Sequence, residues 1–307
     1  MIWPKKKSKI QKLEDALFDH KKVEVFMLRD DLLHPGISGN KWRKLKYNLL
    51  NLSKEGLNRV VTVGGPYSNH IAATAEAGKV FGFETIGLIR GYESYRSNPT
   101  LSRAEDLGME IRFLSKKDYD KIDDDFLNRL KAEIGEFGFV PMGGGNQLGM
   151  KGCMEIVQEI PETTTHITVG CGTGSTMAGI VSGTKENQMV IGFPAMKGGD
   201  FMQRDIENYL AKSGMDKSNF KMNTRFHFGG FARINMELAD FLKEFHLKQG
   251  FVLDGIYTGK MMFGLYEMIT QDYFPKGSVI TAIHTGGVQG NMGLNERYGY
   301  NIPTLSE

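Results

Sequence analysis

Arg59-Val60-Val61-Thr62-Val63 leads through Gly64-Gly65-Pro66 to Ser68-Asn69-His70. An alanine-rich stretch then runs to Gly82, and Thr85-Ile86-Gly87-Leu88-Ile89 follows. The first run is apolar without alternation, which predicts a buried strand over residues 58–63. Ser68 or Asn69 supplies a helix cap, so the spacing predicts a helix from Ser68 to about Gly82. Residues 84–90 read as a second strand. Strand, helix and strand in this order form the repeating unit of a parallel sheet.

The same rhythm extends outward. Residues 99–108 read as helix, 109–114 as strand and roughly 117–135 as a charged helical stretch, and Phe139-Val140 starts the return. A second series begins near residue 145. Residues 150–160 are helical, Ile167-Thr168-Val169 is a short buried strand, and a helix opens near Ser175 and ends near Gly183. Residues 189–193 are strand, 259–271 helix and 279–283 strand. Two such series predict an α/β protein of two lobes, each a mostly parallel twisted sheet flanked by helices. The cleft between such lobes is the natural ligand site. Gly143-Gly144-Gly145 is the expected hinge, because three glycines release the backbone.

Bulk properties exclude several classes. The chain has 307 residues, 40% of them hydrophobic and 24% charged, and a net charge of +2. No strong field points to nucleic acid or membrane. No apolar run reaches the length of a membrane span, and residues 1–22 lack the apolar core of a signal peptide. Cys153 and Cys171 are the only cysteines, so a disulfide framework is not expected and a reducing cytoplasm is. The seven histidines are scattered without metal-ligand spacing, so no metal site is expected.

Several motifs carry chemistry. Thr173-Gly174-Ser175-Thr176 stands between a predicted strand and a predicted helix. It suits an anion such as a phosphate, or is an ordinary helix start. Lys41 in Gly39-Asn40-Lys41 is either a solvated surface lysine or an amine buried for imine formation, with its pKa lowered. Ser68-Asn69-His70 is a cap, or holds a small carboxylate at the helix head. Tyr257-Thr258-Gly259-Lys260 precedes a helix and His284-Thr285-Gly286-Gly287 ends a strand, where α/β folds place site residues. His284 is equally readable as a core histidine. A reactive amine, a phosphate cradle and groups for a small polar substrate together suggest an enzyme built on pyridoxal phosphate.

The ordered set Arg29-Asp30-Asp31, Gly39-Asn40-Lys41, Ser68-Asn69-His70, Gly143-Gly144-Gly145-Asn146, Thr173-Gly174-Ser175-Thr176, Tyr257-Thr258-Gly259-Lys260 and His284-Thr285-Gly286-Gly287 resembles the D-cysteine desulfhydrase and 1-aminocyclopropane-1-carboxylate (ACC) deaminase branch of the tryptophan-synthase-β-like enzymes. The resemblance covers roughly residues 20–290 and implies a fold type II pyridoxal-phosphate enzyme. It implies a larger cofactor-binding domain of residues 1–46 and 145–307, and a smaller domain of residues 47–144 carrying the Ser68-Asn69-His70 substrate loop. Lys41 would hold the cofactor and act in catalysis with Ser68 and Tyr257. Thr173, Gly174, Ser175 and Thr176 would bind its phosphate, and Asn69 would face its ring oxygen. Thr258 and Thr285 would lie near its pyridine nitrogen, and Ser68, Asn69, His70 and Tyr257 would meet the substrate. A homodimer is also implied.

Within the branch, ACC deaminases carry glutamate after the tyrosine and leucine in the histidine-x-glycine-glycine motif. Thr258 and Thr285 match D-cysteine desulfhydrases instead. A carboxylate beside the ring nitrogen makes a strong electron sink, as ring opening of a cyclopropane demands; a hydroxyl makes a weaker one. The expected activity is α,β-elimination of a small D-amino acid to pyruvate, ammonia and sulfide. ACC deamination is the alternative, and a non-catalytic two-lobed binder is the alternative of another class. Phe231, in Phe228-Gly229-Gly230-Phe231-Ala232, departs from the tyrosine that the family usually carries there.

Overall fold

The computed structural model describes residues 1–305. Its strands are β1 (Lys9–Leu13), β2 (Glu24–Arg29), β3 (Arg59–Gly64), β4 (Glu84–Arg90), β5 (Glu110–Leu114), β6 (Gly138–Val140), β7 (His166–Cys171), β8 (Met189–Pro194), β9 (Phe220–Met222) and β10 (Val279–Ile283). They form a six-stranded sheet of order β1-β2-β10-β7-β8-β9 and a four-stranded sheet of order β5-β4-β3-β6. Only β1 against β2 is antiparallel; the other pairs run parallel. The α/β reading with two mostly parallel sheets is therefore borne out.

The helices are α1 (Ala16–Lys21), α2 (Asn40–Lys54), α3 (Asn69–Phe81), α4 (Pro99–Asp106), α5 (Lys116–Tyr119), α6 (Asp124–Ile134), α7 (Gln147–Met154), α8 (Ser175–Gly183), α9 (Met202–Lys212), α10 (Met236–Gln249), α11 (Thr258–Thr270) and α12 (Gly290–Tyr298). Both faces of each sheet are covered, which is why the central strands are continuously apolar. In β3, Val60 packs with Trp42, Leu45 and Leu49 of α2, while Val61 and Val63 pack with Leu130 of α6. In the larger sheet, Val25, Ile191 and Ile280 meet Leu238 and Leu242 of α10 and Met261 and Leu265 of α11. On its other face, Ile167, Val169 and Ile283 meet Met177 and Ile180 of α8 and Ile206 of α9.

Some boundaries differ from the sequence reading. The charged stretch 117–135 splits into α5 and α6. Asp123 starts the second helix by accepting the Phe126 N–H at 2.8 Å. The helix expected over 150–160 opens at Gln147 behind the cap Asn146 and gives way to a 3₁₀ turn after Met154. α2 runs unbroken from Asn40 to Lys54. This helix stands on the larger sheet at its start and packs on the smaller one along its length.

A buried ion cluster holds the start of α2. Arg43 donates from Nε to Asp30 Oδ2 at 2.7 Å and from Nη2 to Asp30 Oδ1 at 2.8 Å. It also donates from Nη2 to Glu159 Oε2 at 3.1 Å. Asp30 is fully buried just beyond β2. Removing one partner leaves the other charge buried and uncompensated, which costs about 3–5 kcal/mol. Asp30→Ala is therefore expected to lower stability by about that amount. Urea unfolding followed by circular dichroism checks it; a midpoint equal to the wild type contradicts the role given to the pair.

Candidate active site

Three carboxyl ends of parallel strands converge: β3 into Gly64–Ser68, β7 into Gly172–Gly174 and β10 into His284–Gly287. The head of α2 is wedged between the last two. Gly39 has a φ of +63°, and a Cβ there would overlap the Thr285 carbonyl. Only glycine permits that approach. The Asn40 N–H donates to Thr285 O at 3.2 Å, and its Nδ2 donates to Thr176 Oγ1 at 2.9 Å. The Gly39-Asn40-Lys41 run therefore touches both the β10 turn and the β7 loop.

Lys41 Nζ donates to Gly143 O at 3.2 Å. Lys44, one turn further along α2, donates to the same carbonyl at 3.0 Å. Burial holds the Lys41 amine well below the ordinary lysine range, and the neighbouring Lys44 charge adds to this. Burial lowers Lys44 as well. The expected hinge glycines are thus part of the site: Gly143 and Gly144 both have left-handed φ, and their turn presents a carbonyl to the two amines.

The β7 loop lies on the other side of Gly143. A Cβ on that glycine would stand 3.1 Å from Thr173 Cγ2 and 3.8 Å from Lys41 Nζ, so the loop and the amine flank one residue. Thr173 Oγ1 and Ser175 Oγ are 3.1 Å apart. No side chain caps α8, whose N-cap Gly174 is left-handed. Ala178 is the residue whose N–H returns to Gly174 O. The free N–H groups at the helix head and three hydroxyls suit a phosphate, and a lowered amine beside them suits an aldehyde. This donor set fits pyridoxal phosphate.

On the facing side, Ser68 caps α3 by accepting the His70 and Ile71 N–H groups at 3.2 and 3.3 Å. Asn69 Oδ1 accepts from Gln289 Nε2 at 2.7 Å, and a Cβ at Gly287 would lie 2.5 Å from Asn69 Nδ2. Asn69 therefore touches the β10 turn across the cleft. His70 does not share the open face with Ser68 and Asn69. It is 1% exposed, and its Nε2 donates at 2.8 Å to Thr62 Oγ1, whose own proton goes to Val140 O. Burial holds its pKa well below the ordinary histidine value, with the Lys41 and Lys44 charges adding.

Tyr257 packs on Gly172, where a Cβ would be 3.1 Å from the phenol oxygen. Burial raises its pKa. Thr258 and Thr285 are buried with their hydroxyl oxygens 3.4 Å apart. Asp254 fixes this end of α11. Its Oδ1 accepts the Ile256 and Tyr257 N–H groups at 3.0 and 2.7 Å, and its Oδ2 accepts the Thr258 N–H at 2.8 Å. His284 is a core group. Its Nδ1 accepts the Gly286 N–H at 3.2 Å and its Nε2 donates to Val252 O at 2.8 Å, which shapes the turn carrying Thr285.

Lys44 and Asp254 were not singled out from sequence. Lys44 lies three residues after Lys41, the spacing that puts two side chains on one helix face. Asp254 precedes a helix start by the interval of an Asx cap.

A family model described as pyridoxal-phosphate dependent enzyme matches residues 9–286. A protein of Pyrococcus horikoshii named putative 1-aminocyclopropane-1-carboxylate deaminase is 31% identical, the match covering 90% of this chain and 88% of the relative. A bifunctional D-cysteine desulfhydrase/1-aminocyclopropane-1-carboxylate deaminase of Arabidopsis thaliana is 29% identical, over 87% of this chain and 73% of the relative. The solved structure of an ACC deaminase homologue superposes with a TM-score of 0.83 at 28% identity, covering 96% of this chain and 95% of the other. The chain belongs to the family of pyridoxal-phosphate dependent enzymes, and its cofactor is pyridoxal phosphate. Among the described residues no helix is long and apolar enough to cross a membrane.

Lys44→Met removes a positive charge beside Lys41, so it is expected to raise the Lys41 pKa toward the ordinary lysine value. The pH dependence of Lys41 acetylation in cofactor-free protein, read by mass spectrometry, checks the direction. An unchanged or lowered midpoint contradicts the coupling.

Proposed function

We propose that this enzyme is a lyase that eliminates the β-substituent of a small D-amino acid, converting D-cysteine and water to pyruvate, ammonia and hydrogen sulfide. The carrying observation is the buried Thr258–Thr285 pair, 3.4 Å apart. The carboxylate nearest to it along the chain, Asp254, is occupied by three backbone N–H groups. A hydroxyl pair suits the weaker electron demand of thiolate expulsion.

When bound, the cofactor supplies an electron sink for the α-carbon. The chain's own residues supply the rest. Lys41 Nζ would hold the cofactor and would take the α-proton of the substrate; burial lowers its pKa, which favours the neutral amine that this role needs. Thr173, Gly174, Ser175 and Thr176 would hold the phosphate at the head of α8. Asn69 would meet the ring oxygen, and Ser68 at the head of α3 would hold the substrate carboxylate. Tyr257 would serve the substrate side, and Thr258 and Thr285 the ring nitrogen. His70 supports α3 from beneath through Thr62. Residues 1–46 with 145–307 form the cofactor-binding unit and residues 47–144 the smaller one. A cytoplasmic homodimer completes the proposal, and light scattering of the holoprotein reads the dimer.

ACC deamination is the second reading, favoured by the name of the Pyrococcus horikoshii relative. Paired product assays separate the two. Sulfide from D-cysteine is expected to exceed 2-oxobutyrate from ACC. Thr258→Glu with Thr285→Leu should lower sulfide formation by roughly tenfold or more, the scale of one hydrogen bond to a charged group. Efficient ACC opening by the wild type, with D-cysteine untouched, contradicts the assignment.

A further inference from the structure

Lys260 is 1% exposed, and its ammonium sits among carbonyls. It donates to Ala195 O at 3.2 Å, to His227 O at 3.0 Å and to Gly230 O at 2.8 Å. Ala195 follows β8 and is bonded back to the end of β7 through Cys171 O. The other two carbonyls belong to the loop 227–232. That loop is held in an unfavourable conformation. Phe228 and Ala232 both have a φ of +51°, and Gly229 and Gly230 between them have φ of +88° and +129°. Non-glycine residues there persist only when their surroundings impose it.

The loop carries Phe231 to the site. Its ring stands edge-on to Tyr257, with centroids 6.0 Å apart. Phe231 is 54% exposed, so its ring borders solvent as well as Tyr257. Lys260 lies three residues beyond Tyr257 on the same segment, so one helix start carries the substrate-side tyrosine and the amine that holds its aromatic neighbour.

We infer that Lys260 is a positioning residue which pins the loop 227–232 to the end of β8, and that Phe231 is thereby held as an apolar wall on the Tyr257 side of the site that selects substrate. The inference rests on the reading of Tyr257 as a substrate-side residue. A phenylalanine edge offers no hydrogen bond, so the wall favours an apolar or sulfur-bearing substrate group over a polar one. Burial lowers Lys260 to about 8 against the opposing pull of Asp254. Lys260→Met keeps the length of the side chain and removes the three hydrogen bonds to Ala195 O, His227 O and Gly230 O. Thermal unfolding of the variant, followed by circular dichroism, separates loss of positioning from loss of folding.

The experiment compares Lys260→Met, Phe231→Ala, Phe231→Tyr and the Lys260→Met/Phe231→Ala double variant. Hydrogen exchange over residues 226–233 of the holoprotein is expected to accelerate in Lys260→Met and not in Phe231→Tyr. KM for D-cysteine is expected to rise roughly threefold to tenfold in Lys260→Met and in Phe231→Ala, the scale of one aromatic pair, with a much smaller change in kcat. The double variant should match the worse single variant, because both act through one contact. Phe231→Tyr keeps the ring and its place in the loop, so it serves as the control for the exchange arm. Unchanged exchange in Lys260→Met, or additive effects in the double variant, overturns the inference. A wild type inert toward D-cysteine sinks the proposed reaction instead, and the exchange arm then decides the role of Lys260 on its own.

Discussion

The structure turns on an amine kept inside the protein with no carboxylate in contact with it among the described residues. Lys41 finds a backbone carbonyl, Gly143 O, and shares it with Lys44. Such an arrangement favours the neutral amine, because burial and a like charge both disfavour the ammonium. Holding it demands a rigid mount. The Arg43–Asp30 pair supplies one side of it. Gly152 supplies another, since a Cβ there would overlap the Arg43 carbonyl and push α7 away from α2. The Gly39 contact with Thr285 supplies the third. These surroundings explain why a lysine two residues into a loop-to-helix junction is chemically different from one on a surface.

The same economy governs the far wall. Asp254 accepts three successive N–H groups and so sets Tyr257 and Thr258 at the mouth of α11. Asn291 ties that corner to the chain by accepting the Gly255 N–H and donating to Leu253 O. Asn69 and Gln289 close the gap between the two sheets with one side-chain hydrogen bond at 2.7 Å. The reactive groups are thus fixed by caps and turns, whose geometry is local, standing at the ends of strands that the sheets align.

Local geometry is also what the sequence makes legible. β3, α3 and β4 were readable because apolar runs, a serine cap and Gly82 punctuate them within one short stretch. β1 was not, because Lys9-Ile10-Gln11-Lys12-Leu13 does not alternate and forms a half-exposed edge strand that resembles a loop. β9 spans three residues, too few for a period. The motifs at Lys41, Thr173–Thr176, Ser68-Asn69 and Thr258/Thr285 stood out by residue type at strand and helix ends. The inward turn of His70 did not, since it depends on Thr62 from a neighbouring strand. Lys260 was equally silent, because its acceptors lie 30 to 65 residues away in sequence.

Three lysines in this chain are buried or partly buried and have lowered pKa values, namely Lys41, Lys44 and Lys260. Lys41 is the one proposed to carry the cofactor. Borohydride reduction of the coloured holoprotein, followed by proteolysis and mass spectrometry, reads this directly. Bleaching is expected, with the cofactor's mass fixed on the peptide containing Lys41. Mass fixed on Lys44 or Lys260, with Lys41 unmodified, would contradict it.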